Sequence, residues 1–76
     1  MTEVRPLDEI AAKLTELRGV RTRKGVAKAL NIAYSSLCNY EHGRRIPPQR
    51  VQCRIADYYG VSVQDIFLRS NTMNHS

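Results

Sequence analysis

Residues 26–45 read VAKALNIAYSSLCNYEHGRR, and their pattern is the strongest signal of the fold in the sequence. Its apolar residues recur three and four positions apart, which is the spacing of one face of an α-helix. Asn31 interrupts the pattern, and Asn tolerates the left-handed backbone conformation that a tight turn after a helix requires. The stretch therefore predicts two short helices, over 23–30 and 34–42, joined by a turn at 31–33.

The same helical spacing continues on both sides of this pair. It predicts three further helices, at about 7–18, 48–59 and 63–69. The alternation of apolar and polar residues that is typical of a strand is absent from the sequence. Local signals support the helix starts, because Thr22 is a good N-cap residue for the second helix. The expected fold class is all-α, with five helices.

Length and composition exclude several classes of protein. The 76 residues suffice for one domain, and a hydrophobic content of 42% is too high for a disordered basic tail. The chain has no apolar run near the roughly 20 residues that span a bilayer, and no signal-peptide core. Its two cysteines form no disulfide framework, so we expect a cytoplasmic location and no membrane association. The expected organisation is an N-terminal arm, one helical domain and a flexible C-terminal tail, at 1–6, 7–69 and 70–76.

The net charge of +5 is unevenly distributed. Residues 18–54 hold nine of the twelve Lys and Arg side chains and one acid, Glu41. A strongly basic segment between acidic flanks predicts a surface that meets an anionic partner. None of the nine lies between Lys28 and Arg44, and the second helix of the pair occupies this gap.

The helix pair has the arrangement of a helix-turn-helix, whose second helix enters the major groove of B-DNA. Leu37 and Tyr40 are expected to face the core. The opposite face is polar, and we assign base contacts to four of its residues: Tyr34, Ser35, Cys38 and Asn39. Asn39 is the leading candidate, because Asn pairs bidentately with adenine. Alternatively, Cys38 is a small helix filler and Tyr34 a surface ring that covers its neighbours.

Phosphate contacts are assigned to residues at the start of the first helix of the pair and along and after the second: Thr22, Arg23, Lys24, Ser36, His42, Arg44 and Arg45. Basic side chains in these places would hold the DNA backbone on either side of the polar stripe. The alternative for each Lys and Arg of this set is an ordinary solvated charge, which is the usual fate of such side chains at a surface.

The quoted stretch, with the segments that follow it, resembles the helix-turn-helix core of the phage repressor and Cro family, the XRE type. The matching segments are Tyr40-Glu41-His42-Gly43, Pro48, Ile55-Ala56, Tyr59-Gly60-Val61-Ser62 and Ile66-Phe67. The resemblance covers roughly residues 7–69. It implies a compact, five-helix lambda-repressor-like domain that binds double-stranded DNA. It further implies a transcriptional repressor of phage or mobile-element type, acting as a homodimer on a palindromic operator.

The resemblance also implies a structural ion pair between Arg18 and Glu41, which would tie the first helix to the third. The chain departs from the family pattern at three positions. Arg23 stands where the family usually has Gln, Asn31 where the turn has Gly, and Ala33 where Ser or Thr often caps the recognition helix.

A different class of function is also open: a protein-binding module of antitoxin or antirepressor type. It would use the surface of the fourth and fifth helices, around Tyr58, Phe67 and Leu68. Cys38 and His42 have the i, i+4 spacing of two metal ligands, but no second pair accompanies them. We therefore expect no metal, cofactor or small-molecule ligand. No set of residues is arranged for catalysis, so an enzyme is not expected.

Overall fold

A computed structural model describes residues 2–70, and five α-helices account for most of them. They are α1 (Leu7–Arg18), α2 (Arg23–Leu30), α3 (Tyr34–Glu41), α4 (Gln49–Tyr59) and α5 (Val63–Phe67). The predicted all-α class and five-helix domain are confirmed. α1 and α2 begin and end at the predicted residues, and α3 ends one residue earlier than predicted, with His42 as its C-cap.

One hydrophobic core lies between the helices. α1 packs against α3 and α5, and α2 packs against α3 and α4. All five helices contribute large side chains that are fully buried, among them Ile10, Val26, Leu37, Ile55 and Phe67. Burial of these apolar faces stabilises helices that are too short to persist alone in water.

The turn between α2 and α3 has the conformation that the sequence predicts. Asn31 has a φ of 58°, in the left-handed region, and its backbone N–H donates to the carbonyl oxygens of Ala27 and Lys28. Thr22 caps the start of α2, where its hydroxyl accepts a hydrogen bond from the Gly25 N–H at 3.0 Å. Together the cap and the turn fix the length of α2 and the direction in which α3 leaves it.

The end of α3 approaches α1 closely at Gly43. This glycine has a φ of +72°, and a Cβ atom there would lie 3.4 Å from the carbonyl oxygen of Leu7. The left-handed backbone conformation therefore favours glycine, and an added methyl group would lie at van der Waals distance from Leu7. The contact helps to hold the loop after α3 against the first helix.

The fifth helix is shorter than predicted, and the sequence pattern did not predict the short strand pair to which the residues after it belong. Residues Leu68–Ser70 leave the helix as a strand, β2, which pairs antiparallel with β1 (Thr2–Val4). Part of the predicted N-terminal arm thus belongs to a two-stranded sheet, as does Ser70, which was assigned to the tail. The rest of that predicted tail, residues 71–76, lies outside the described residues.

An ion-pair network supports the strand pair from α1. Glu9 contacts Arg69 of β2 and lies 3.6 Å from Arg5, whose Nε donates to the Leu68 carbonyl oxygen at 3.0 Å. The hydrogen bond from Arg69 holds the pKa of Glu9 below its ordinary value of 4.5. These side chains are partly solvated, so the network secures the geometry of the strand pair more than it adds stability.

The surface assigned to the alternative function, a protein-binding module, is not built as predicted. Phe67 has no solvent exposure and belongs to the core, and Leu68 is half-buried. Tyr58 alone of these three residues is exposed, at 39%. The helical period explains the error, since the aromatic residue ending α5 points to the inside of the domain.

Candidate nucleic-acid interface

The third helix is buried on one side only. Leu37, Tyr40 and Glu41 face the interior, with exposures of 2%, 6% and 5%. The predicted polar stripe lies on the other side: Tyr34, Ser35 and His42 are exposed, and Cys38 and Asn39 are half-buried. Ser36, at the edge of the stripe, is also half-buried. The side chains to which we assigned base contacts are therefore brought together on one accessible face.

A depression of about 370 Å³ lies where α2 and α3 begin. It is lined by Arg18, Thr22, Arg23, Lys24 and Tyr34. Three of these side chains are basic, so the depression is electropositive. It brings several predicted phosphate-contacting residues beside the first residue of the polar stripe.

The start of α3 has no side-chain cap. Ala33 occupies the N-cap position and offers no acceptor to the first-turn N–H groups. Uncapped N–H groups and the positive end of the helix dipole favour an anion or a solvent molecule at this place. The departure from the family pattern at Ala33 thus leaves backbone donors available near the electropositive depression.

Glu41 is the buried centre of an ion cluster. Its side chain is fully buried, and both carboxylate oxygens accept from Arg18 Nε at 3.0 Å. The family resemblance implied this pair, and its burial removes Glu41 from contact with a bound ligand. Arg18 also donates from Nη1 to the Arg21 carbonyl oxygen at 2.7 Å, which ties the loop after α1 to the same cluster.

Arg23 has a role that the sequence analysis missed. Its Nε donates to Glu41 Oε1 at 2.9 Å, so this residue, assigned only to phosphate, is also part of the buried cluster. The hydrogen bond to Glu41 raises the pKa of Arg23 further above its ordinary value. The only hint in the sequence was that Glu41 is the single acid within the basic segment.

Thr22 likewise has a structural task besides the predicted one. Its hydroxyl oxygen accepts from the Gly25 N–H, which makes it the N-cap of α2. A hydroxyl that accepts one bond still has a proton to donate. Both uses are therefore compatible, and the phosphate assignment stays a prediction.

The other seven Lys and Arg side chains of the basic segment 18–54 form two groups. Arg21 and Arg54 make contacts within the fold. The guanidinium carbon of Arg21 lies 5.7 Å from the ring centres of Tyr58 and Tyr59. Arg54 donates to the Leu30 carbonyl oxygen. A second group is exposed and has no ion-pair partner within residues 2–70: Lys24, Lys28, Arg44, Arg45 and Arg50. Three of the predicted phosphate contacts belong to the second group, and their charges are available to an external anion.

Comparison with protein families agrees with this geometry. Two helices joined by a tight turn, the second with an accessible polar face between basic residues, define a helix-turn-helix DNA-binding domain. The helix-turn-helix domain family matches residues 9–66. The chain therefore belongs to this family of DNA-binding regulators. Comparisons with curated proteins and with solved structures gave no match.

Within residues 2–70, none of the helices has the length and hydrophobicity needed to cross a membrane. In the same part of the chain, no group of three or more His, Cys, Asp or Glu side chains is placed to hold a metal ion.

Proposed function

We propose that the protein is a sequence-specific transcriptional repressor of the phage repressor and Cro type, encoded by a phage or mobile element. It inserts α3 into the major groove of double-stranded DNA and contacts bases with Tyr34, Ser35, Cys38 and Asn39. One observation carries the proposal: the exposed face of α3 is uncharged and polar, and it lies between unpaired basic residues.

The residues of this surface have two different roles in DNA binding, which follow from the chemistry of DNA. Phosphate contacts supply affinity that is independent of sequence, whereas hydrogen bonds to base edges supply specificity. Lys24 at the start of α2 and Arg44 and Arg45 after α3 are suited to the first task. Asn39, with an amide that offers both a donor and an acceptor, is suited to the second.

A homodimer on a palindromic operator completes the proposal. One recognition helix contacts too few base pairs for specificity in a genome, and two copies related by a two-fold axis double the contacted sequence. Half-sites should then lie about 34 Å apart, one turn of B-DNA.

Selection from randomised duplex DNA, at a stated salt concentration, tests the proposal. We expect enrichment of an inverted repeat whose half-sites are about 10 base pairs apart. Enrichment of a single half-site would contradict the dimer, and no enrichment with no salt-dependent binding would contradict the function. Co-purification of a stoichiometric protein partner, again without DNA binding, would support a protein-binding module instead.

Two substitutions separate the assigned roles. Asn39→Ala should lose about 1–3 kcal/mol of binding free energy at the selected site and relax one base preference. Arg44→Ala should weaken binding to selected and random duplexes alike, and reduce the slope of log K against log salt by about one unit. Gln64→Ala, which removes an exposed amide from α5, is the matched control for Asn39. Equal losses of affinity for Asn39→Ala and Arg44→Ala on random DNA would contradict these separate roles.

A further inference from the structure

Arg23 stands between the buried ion cluster and the electropositive depression. Its Nε bonds Glu41 inside the fold, while 32% of its side chain remains exposed and lines the depression. Glu41, by contrast, is fully buried and has no access to a ligand. A buried acid thus contacts a side chain that does reach the surface.

The hydrogen bond leaves the outer part of the Arg23 side chain available. Glu41 engages Nε, and within residues 2–70 neither Nη atom has a hydrogen-bond partner. A guanidinium group is planar, so a bond at Nε restricts the orientation of the whole group. The two Nη groups form the fork that binds two oxygens of one phosphate.

Glu41 is itself held in a defined position. Arg18 donates to both carboxylate oxygens of Glu41, and the Glu41 side chain is buried. The orientation of Arg23 is therefore set by two rigid elements, the end of α3 and the end of α1. An unrestrained arginine on the same helix would lose more side-chain conformational entropy when it binds a phosphate.

We propose that Glu41 is a positioning residue for DNA binding: it holds the Arg23 guanidinium with its Nη groups directed to a backbone phosphate at the start of α2. The inference rests on the proposed function, since it concerns how that DNA is held. The acid serves here as an internal support of the phosphate contact and not only as a link between α1 and α3.

A double-mutant cycle in DNA binding tests the inference. The four proteins are wild type, Arg23→Gln, Glu41→Gln and the double variant, each checked for helical content by circular dichroism. Affinity for the selected duplex is measured over a range of salt concentrations. Arg23→Gln should reduce the salt slope by about one unit, as the loss of one phosphate contact requires. Glu41→Gln should weaken binding by about threefold or more when Arg23 is present, and by much less when it is absent.

Lys28 provides the matched control, because it is an exposed basic residue on the same helix without a bond to Glu41. Effects of Lys28→Gln and Glu41→Gln should be independent to within about twofold. Additive effects of Arg23→Gln and Glu41→Gln would overturn the inference. Tighter binding by Glu41→Gln would also overturn it, because the acid would then compete with the phosphate for Arg23.

Arg23→Lys decides the question if Glu41→Gln does not fold. Lysine keeps the charge but lacks the planar fork that Glu41 orients, so binding should weaken by about threefold or more. Wild-type affinity and salt slope in Arg23→Lys would refute the positioning role. Absence of any salt-dependent binding by the wild type would refute the proposed function itself, which is a distinguishable result.

Discussion

Replacement of Glu41 by Gln should destabilise the fold strongly, although the two side chains have almost the same shape. Glu41 is fully buried and accepts from two N–H groups, Arg18 Nε and Arg23 Nε, with N···O distances of 2.9–3.0 Å. Gln removes the negative charge and one acceptor, and it places an NH₂ group against a guanidinium. The Arg18 side chain, only 16% exposed, then retains a positive charge without its partner.

The expected magnitude follows from the burial of each partner. Removal of one member of a fully buried ion pair costs about 3–5 kcal/mol. Water reaches part of both arginines, so we expect about 2–3 kcal/mol of unfolding free energy to be lost. A chain of this size has a total stability of about 4–11 kcal/mol, so the loss is a large fraction of it. The thermal midpoint should fall by roughly 10–20 °C.

Urea and thermal unfolding followed by circular dichroism measure this loss. Glu16→Gln is the matched control, since it makes the same chemical change at an exposed position on α1 and should alter stability by no more than about 0.5 kcal/mol. A folded Glu41→Gln protein with a stability within about 0.5 kcal/mol of wild type would refute the argument that the cluster holds α1, α2 and α3 together.

Two further predictions concern the backbone and the strand pair. Gly43→Ala and Gly60→Ala both put a Cβ atom on a residue with a φ of +72°, which should cost about 1–2 kcal/mol of stability at either position, because at Gly43 the new atom meets Leu7 only at van der Waals distance and at Gly60 it meets nothing. A loss below about 0.5 kcal/mol for either variant in urea unfolding would contradict this. Arg69→Gln should raise the pKa of Glu9 toward 4.5 in an NMR titration, because the hydrogen bond that lowers it is gone. The stability that the Glu9–Arg69 pair adds is present at neutral pH and is lost as the pH falls through the lowered pKa of Glu9. Wild type should therefore lose more stability on acidification than Arg69→Gln. An unchanged pKa of Glu9 in the variant would contradict the role given to this hydrogen bond.

Local sequence patterns predicted most of the helical fold for physical reasons. The bounds of α1 and α2 follow from the helical spacing of apolar residues, with Thr22 as N-cap of α2 and Asn31 in the left-handed conformation after it. Such signals act within a few residues, so they are visible in the chain itself. The polar face of α3 is visible for the same reason.

The strand pair could not be predicted in this way. β1 and β2 have three residues each, which is too short for an alternating pattern, and they pair across almost the whole length of the chain. Leu68 also continues the apolar run of α5, which suggested a longer helix. Pairing of this kind depends on where the core brings the two chain ends.

The double use of Arg23 was hidden by a similar separation. Its partner Glu41 lies eighteen residues away, and only the packing of α2 and α3 brings their side chains together. Charge counting identified Glu41 as an exception and a resemblance gave it one partner, Arg18. Neither showed that a second arginine shares the carboxylate.

The proposed contacts between the polar face of α3 and the bases of DNA can be measured residue by residue. Titration of ¹⁵N-labelled protein with the selected duplex, followed in amide NMR spectra, is the measurement. We expect the largest shift changes at Tyr34, Ser35 and Asn39, with weaker changes at Lys24, and none of comparable size when a scrambled duplex is used. Changes centred on α4 and α5, with the amides of α3 unaffected, would show that α3 does not enter the major groove.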